Sequence, residues 1–66
     1  MRFYFDIRDG VPARDRTGKE FEFIAAAITH AKEMAAEFRS QRQPKGQNSR
    51  ICVVSENGTV VHEEKL

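Results

Sequence analysis

A chain of 66 residues in which 11 Lys and Arg face 10 Asp and Glu has a formal net charge of +1, a balance that does not describe a globally basic nucleic-acid binder. At this length the chain is expected to form one domain, burying roughly 60% of its unfolded surface, with no room for a large closed active site. One cysteine, Cys52, supplies neither an intramolecular disulfide nor a cysteine-based zinc site, no stretch approaches a membrane span, and the opening MRFYFDIRDG lacks the apolar core of a signal peptide, so a cytoplasmic protein without cofactor is expected.

Phe3, Phe5 and Ile7 alternate with Tyr4, Asp6 and Arg8, the period of a strand with one buried face. Asp9-Gly10 permits a tight reversal, after which Val11 to Arg14 return as a short second strand. Pro12 has no N–H to donate, which confines that strand to a sheet edge. Asp15-Arg16-Thr17-Gly18 has the residue order of a type I turn, and Lys19 to Glu22 then lead into a helix with Phe21 as an anchor on the core.

The helix is the strongest periodic signal. From Phe23 to Arg39, with about 100° of rotation per residue, Ile24, Ala27, Ile28, Ala31, Met34, Ala35 and Phe38 fall within one arc roughly 120° wide. No good capping side chain precedes it, since Phe21, Glu22 and Phe23 stand there, whereas Pro44 and Gly46 oppose its continuation into a polar loop from Ser40 to Asn48.

Ile51 to Val54 form a third strand and Val60 to His62 a fourth, joined around Asn57-Gly58. A two-residue turn would pair Val54 with Val61. A three-residue loop, Glu56 to Gly58 with Gly58 left-handed, would pair Val53 with Val61, and this is the favoured register. It directs Ile51, Val53 and Val61 toward the helix and leaves Cys52, Val54, Val60 and His62 on the opposite side. The expected fold is α+β, a ββαββ chain with one helix on a four-stranded antiparallel sheet of order 2-1-3-4.

Tyr4-Phe5-Asp6-Ile7-Arg8-Asp9-Gly10, Asp15-Arg16-Thr17-Gly18, Glu20-Phe21 and the alanines Ala26, Ala27 and Ala31 are similar to a small family of uncharacterised domains common in rhizobia and related alphaproteobacteria. The resemblance covers most of the chain, including the terminal hairpin with Gly58. It implies the fold but no mechanism, because the family has no established activity. Phe23 stands where such proteins often have a helix-capping Asp, and Asp6 where a His is frequent, so a role resting on that His does not carry over.

The chemistry-bearing residues are sparse. His30 lies about 240° around the helix from Ile24, on its exposed side or flank, and His62 lies on an edge strand, with no ligand spacing between them. The favoured register makes Cys52 and His62 cross-strand neighbours, an arrangement that could lower a thiol pKa, but a lone cysteine in a central strand reads first as a small apolar filler. Asp6, Asp9 and Asp15 sit where Asp bonds local backbone. Phosphate loops, nucleophile elbows and HExxH patterns are absent, and no enzymatic activity is expected.

Basic residues bracket both helix ends: Arg14, Arg16 and Lys19 before it, and Arg39, Arg42, Lys45 and Arg50 after it. Both clusters are candidate phosphate-binding patches, the latter four the one singled out, and together they are the basis of an alternative reading, weak nucleic-acid binding through the loops at the helix ends. The preferred reading is a protein-interaction module. Tyr4, Cys52, Val54, Val60 and His62 would form an open sheet face for an unknown protein partner or a second copy of the chain.

Overall fold

The structure, a computed structural model, describes residues 1–41 and 48–66. Its centre is β1 (Arg2–Asp9), which pairs antiparallel with β4 (Arg50–Ser55) from Phe3 opposite Ser55 to Arg8 opposite Arg50. β4 in turn pairs with β5 (Val60–Lys65). The helix α1 (Ile24–Gln41) covers one side of this sheet. Phe3, Phe5, Ile51 and Val53 point into the core and meet Ala27, Ala31 and Ala35, all three alanines being fully buried. A methyl group at each of those positions is what lets helix and sheet backbones approach closely.

The apolar stripe of α1 is narrower than expected. Met34 packs on the core at one flank, and Ile28 and Phe38 are half-buried. Ile24 is 44% exposed and Phe23 66%, so the stripe leaves the core at its N-terminal end. Phe23 caps the helix through backbone alone, its carbonyl accepting from the amides of Ala26 (3.1 Å) and Ala27 (3.4 Å). The helix continues through Ser40 to Gln41, two residues past the expected end at Arg39, and most of the expected loop lies outside the described residues.

The other edge of β1 carries two strands. β2 (Val11–Ala13) pairs with Ile7 to Asp9 around Gly10, whose φ of 84° makes the reversal, and places Pro12 on an edge. β3 (Lys19–Glu20) pairs with Arg2 and Phe3, and Met1 and Phe21 extend that ladder by exchanging both backbone hydrogen bonds (2.9 and 2.8 Å). The sheet order is therefore β2-β1-β4-β5 with β3 also on β1, which differs from the four-stranded expectation of order 2-1-3-4 by this added strand. Lys19 and Glu20 are sheet residues and not a lead into the helix, because the ladder satisfies their backbone groups.

Between β2 and β3 the chain leaves the edge, and Asp15 substitutes for the missing strand. Its Oδ2 accepts from the Phe5 amide (3.1 Å), its Oδ1 from the amides of Thr17 (3.0 Å) and Gly18 (3.1 Å), and its own amide donates to Asp6 Oδ1 (3.0 Å). Partial burial works against charge on Asp15. The amide bonds from Gly18, Thr17 and Phe5, with the nearby Arg2 charge, outweigh it and hold the carboxyl below its ordinary range. Gly18 closes the excursion at φ 71°, where a Cβ would fall 2.9 Å from both the Phe3 carbonyl oxygen and the Tyr4 ring. Phe21 anchors the approach to α1 as expected, packing against Phe3, Phe5 and His30.

The last hairpin has the expected three-residue loop but not the expected register. Ser55 and Thr59 flank Glu56 to Gly58, Gly58 has φ 87°, and its amide donates to the Ser55 carbonyl (3.0 Å). A bulge then intervenes: Val54 opposes Val60, yet Val53 opposes His62 and Arg50 opposes Lys65. The extra residue is Val61, which packs on the core.

Candidate interaction face

Directly paired residues in an antiparallel sheet share a face, so the register states what lies opposite α1. Tyr4, Val54 and Val60 lie side by side there, followed along the strands by Asp6, Cys52 and Glu63. Tyr4 and Val54 are half-buried and Val60 is 44% exposed. Cys52 is only 1% exposed although it is outside the helix-side core cluster. Its short side chain lies between the longer Asp6 and Glu63 across the ladder and Arg50 and Val54 along its own strand. It forms the floor of the face and is not an accessible part of it.

His62 does not belong to this face. The bulge turns both Val61 and His62 toward α1, because the extra residue interrupts the alternation. His62 Nε2 lies 2.9 Å from Glu64 Oε1, and Lys32 of α1 places its Nζ 3.8 Å from the same oxygen. The Glu64 carboxyl is held below its usual range, first by the His62 hydrogen bond, against a smaller opposing effect of burial, and then by the charges of Lys32, His62 and Arg39. Cys52 opposes Glu63, so the expected thiol–imidazole neighbourhood is not formed. His30 lies on the helix flank with its ring edge-on to Phe5 at 5.0 Å. Among the described residues no group of three or more His, Cys, Asp or Glu is arranged to hold a metal ion.

The proposed basic patch is only partly visible. Arg39 donates from Nη1 to the Lys65 carbonyl (3.0 Å), Arg50 donates from Nη1 to the Asn48 carbonyl (3.0 Å), and Arg42 and Lys45 lie outside the described residues. Arg50 Nε is 3.1 Å from Glu63 Oε1, close enough for an ion pair but off the hydrogen-bond direction, which leaves this buried N–H without an acceptor. Of the residues before the helix, Lys19 sets its Nζ 5.9 Å from the Phe21 ring centroid.

A different cluster was not legible beforehand. Arg8 opposes Arg50, and Arg50 opposes Lys65, so three cations stand in a row across three neighbouring strands on the face away from α1. Without the bulge Arg50 would oppose Glu64. One inserted residue thus replaces an opposite-charge pair with a like-charge pair. The signal in the sequence is the spacing of Arg50 and Lys65 about Gly58, readable only once the bulge is known.

The model of a family described as a domain of unknown function, DUF6894, matches residues 2–64. No curated protein and no solved structure matches the chain. No helix among the described residues is long and apolar enough to cross a membrane.

Proposed function

The chain belongs to the DUF6894 family, whose function is unknown, and we propose that it is a non-enzymatic protein-interaction module working through the sheet face opposite α1. The observation that carries this reading is that face itself: Tyr4, Val54 and Val60 are adjacent, and the described residues include one helix, which lies on the other side. An antiparallel sheet can leave one face in solvent, but adjacent apolar side chains on that face offer a surface for a further layer, here one supplied by a protein partner or by a second copy of the chain. We place the protein in the cytoplasm, where the single thiol of Cys52 stays reduced.

Nucleic-acid binding by the basic loops at the helix ends has less support. Arg39 and Arg50 direct hydrogen bonds to carbonyls of their own chain, and the uncovered face has one aromatic ring, Tyr4, where single-strand readers stack bases on several.

The test compares wild type with Val54→Glu. Quantitative capture from host extract should yield a protein that is retained by a Glu33→Ala control on the exposed side of α1 and lost with Val54→Glu. Sedimentation velocity run in parallel identifies a second copy as the occupant if a dimer disappears in the same variant. Identical captured proteins and identical sedimentation for the two chains would remove the reading.

A further inference from the structure

We propose that the uncovered face docks an acidic segment of a protein partner, whose carboxylates are held by the row Arg8, Arg50 and Lys65. The inference rests on the reading of that face as an interaction surface and specifies the chemistry of its occupant. Stability does not account for the row. Like charges directly opposite one another destabilise a sheet, and here two successive pairs are of that kind. Glu63 compensates Arg50 in part, at 3.1 Å from Nε, but among the described residues neither the Arg8 guanidinium nor the Lys65 ammonium has an ion-pair or hydrogen-bond partner.

The surface between the cations is concave. A hollow of about 330 Å³ lies between Arg50 and Lys65, beside Asn48 and Glu63, and another of about 280 Å³ lies between Arg8 and Arg50, beside Pro12. The nearby carboxylates are already engaged, Asp9 by the Ser49 hydroxyl at 2.5 Å and Glu63 by Arg50. Each hollow keeps one more cation than carboxylate, Arg50 and Lys65 against Glu63 in one and Arg8 and Arg50 against Asp9 in the other, and Arg50 faces both.

The rest of the face selects among anionic partners. Tyr4 and Arg8 are four residues apart on β1, roughly 13 Å along the strand, so the aliphatic end at Val54 and Val60 and the cationic end lie on one elongated face, with Asp6, Cys52 and Glu63 between them. Aliphatic side chains followed by carboxylates, as on an amphipathic protein segment, match both ends. A nucleic acid would match only the cations. A second copy matches at most the aliphatic end. Two-fold stacking of the faces lays the row on itself when the axis runs along the strands, and lays it on Val54 and Val60 when the axis runs across them. Both arrangements desolvate three cations with only Glu63, already set against Arg50, beside them.

Fluorescence anisotropy at low salt with a labelled synthetic peptide, leucines at one end of a helical repeat and four glutamates at the other, tests the assignment. The peptide should bind saturably, and the Arg8→Gln/Lys65→Gln double variant, replacement of the peptide glutamates by glutamine, and a rise in salt should each weaken it roughly tenfold. The double variant should melt no lower than wild type, since it removes a repulsion, which separates a binding defect from misfolding. Binding that Val54→Glu abolishes but the double variant leaves intact overturns the role of the row while keeping the face. Binding indifferent to Val54→Glu overturns the face reading itself. No saturable binding, or tighter binding of a single-stranded oligothymidine than of the peptide, overturns the assignment.

Discussion

The two faces of the sheet are built from the same three strands to opposite ends. Toward α1, Phe3, Phe5, Ile51 and Val53 close on Ala27, Ala31 and Ala35, all buried, with Ile7, Met34 and Val61 packed at the margin. On the reverse, Tyr4, Val54 and Val60 stay partly in solvent, and Arg8, Arg50 and Lys65 are set against one another. One side thus gains from burial, while the other retains a destabilising arrangement. In a chain of this size, where a single core supplies only a few kcal/mol of net stability, that contrast separates what holds the fold from what is available for recognition.

The comparison breaks most readily on the covered side. Phe3→Ala should cost about 4 kcal/mol, comparable to the whole stability of so small a domain, and leave the chain largely unfolded by circular dichroism at 25 °C. Retention of a cooperative melt near the wild-type temperature would show that the core does not depend on that side. Ala31→Leu is the subtler version. The added bulk must push α1 off the sheet, for about 2 kcal/mol in urea denaturation, and a neutral result would mean that the alanines do not set the approach distance.

Asp15 belongs to the edge between the faces and gives a smaller, pH-dependent effect. Asp15→Asn should lose about 1 kcal/mol at neutral pH, because the side chain then offers one acceptor oxygen where three amides are bound. The folded-state carboxyl is lowered, so its contribution is complete above the ordinary value of 3.8 and is lost as pH falls below that toward the folded value. Urea midpoints measured down through this range should converge for wild type and Asp15→Asn. Parallel curves would detach the carboxylate from stability. At the far end, Val54→Glu on the uncovered face, where the side chain is half-buried between Tyr4 and Val60, should cost no more than about 1 kcal/mol while removing partner binding.

Local pattern was enough for much of this. The alternation of Phe3, Phe5 and Ile7, the stripe through Ala27, Ala31 and Ala35, the reversal at Gly10 and the left-handed Gly58 each follow from the chemistry of a few neighbouring residues, and together they imply one helix on an antiparallel sheet. The two-residue strand β3 was hidden because Lys19 and Glu20 carry no strand pattern. Its register depends on Asp15 reaching across to the Phe5 amide, ten residues earlier in the chain. The make-up of the uncovered face depended even more on tertiary structure. Of the expected residues Tyr4, Val54 and Val60 remain accessible there, Cys52 is buried, and His62 is on the other side.

Sequence alone determined the types of every element but β3, because periodicity and turn chemistry act over a few residues. The tertiary structure decided the rest through one residue of slip. A hairpin bulge at Val61 adds nothing to any local preference, yet with a side-chain period of two it reverses the face of every residue beyond it. That slip sent His62 toward α1 and brought Lys65 beside Arg50, and so defined the surface on which the function is proposed to rest.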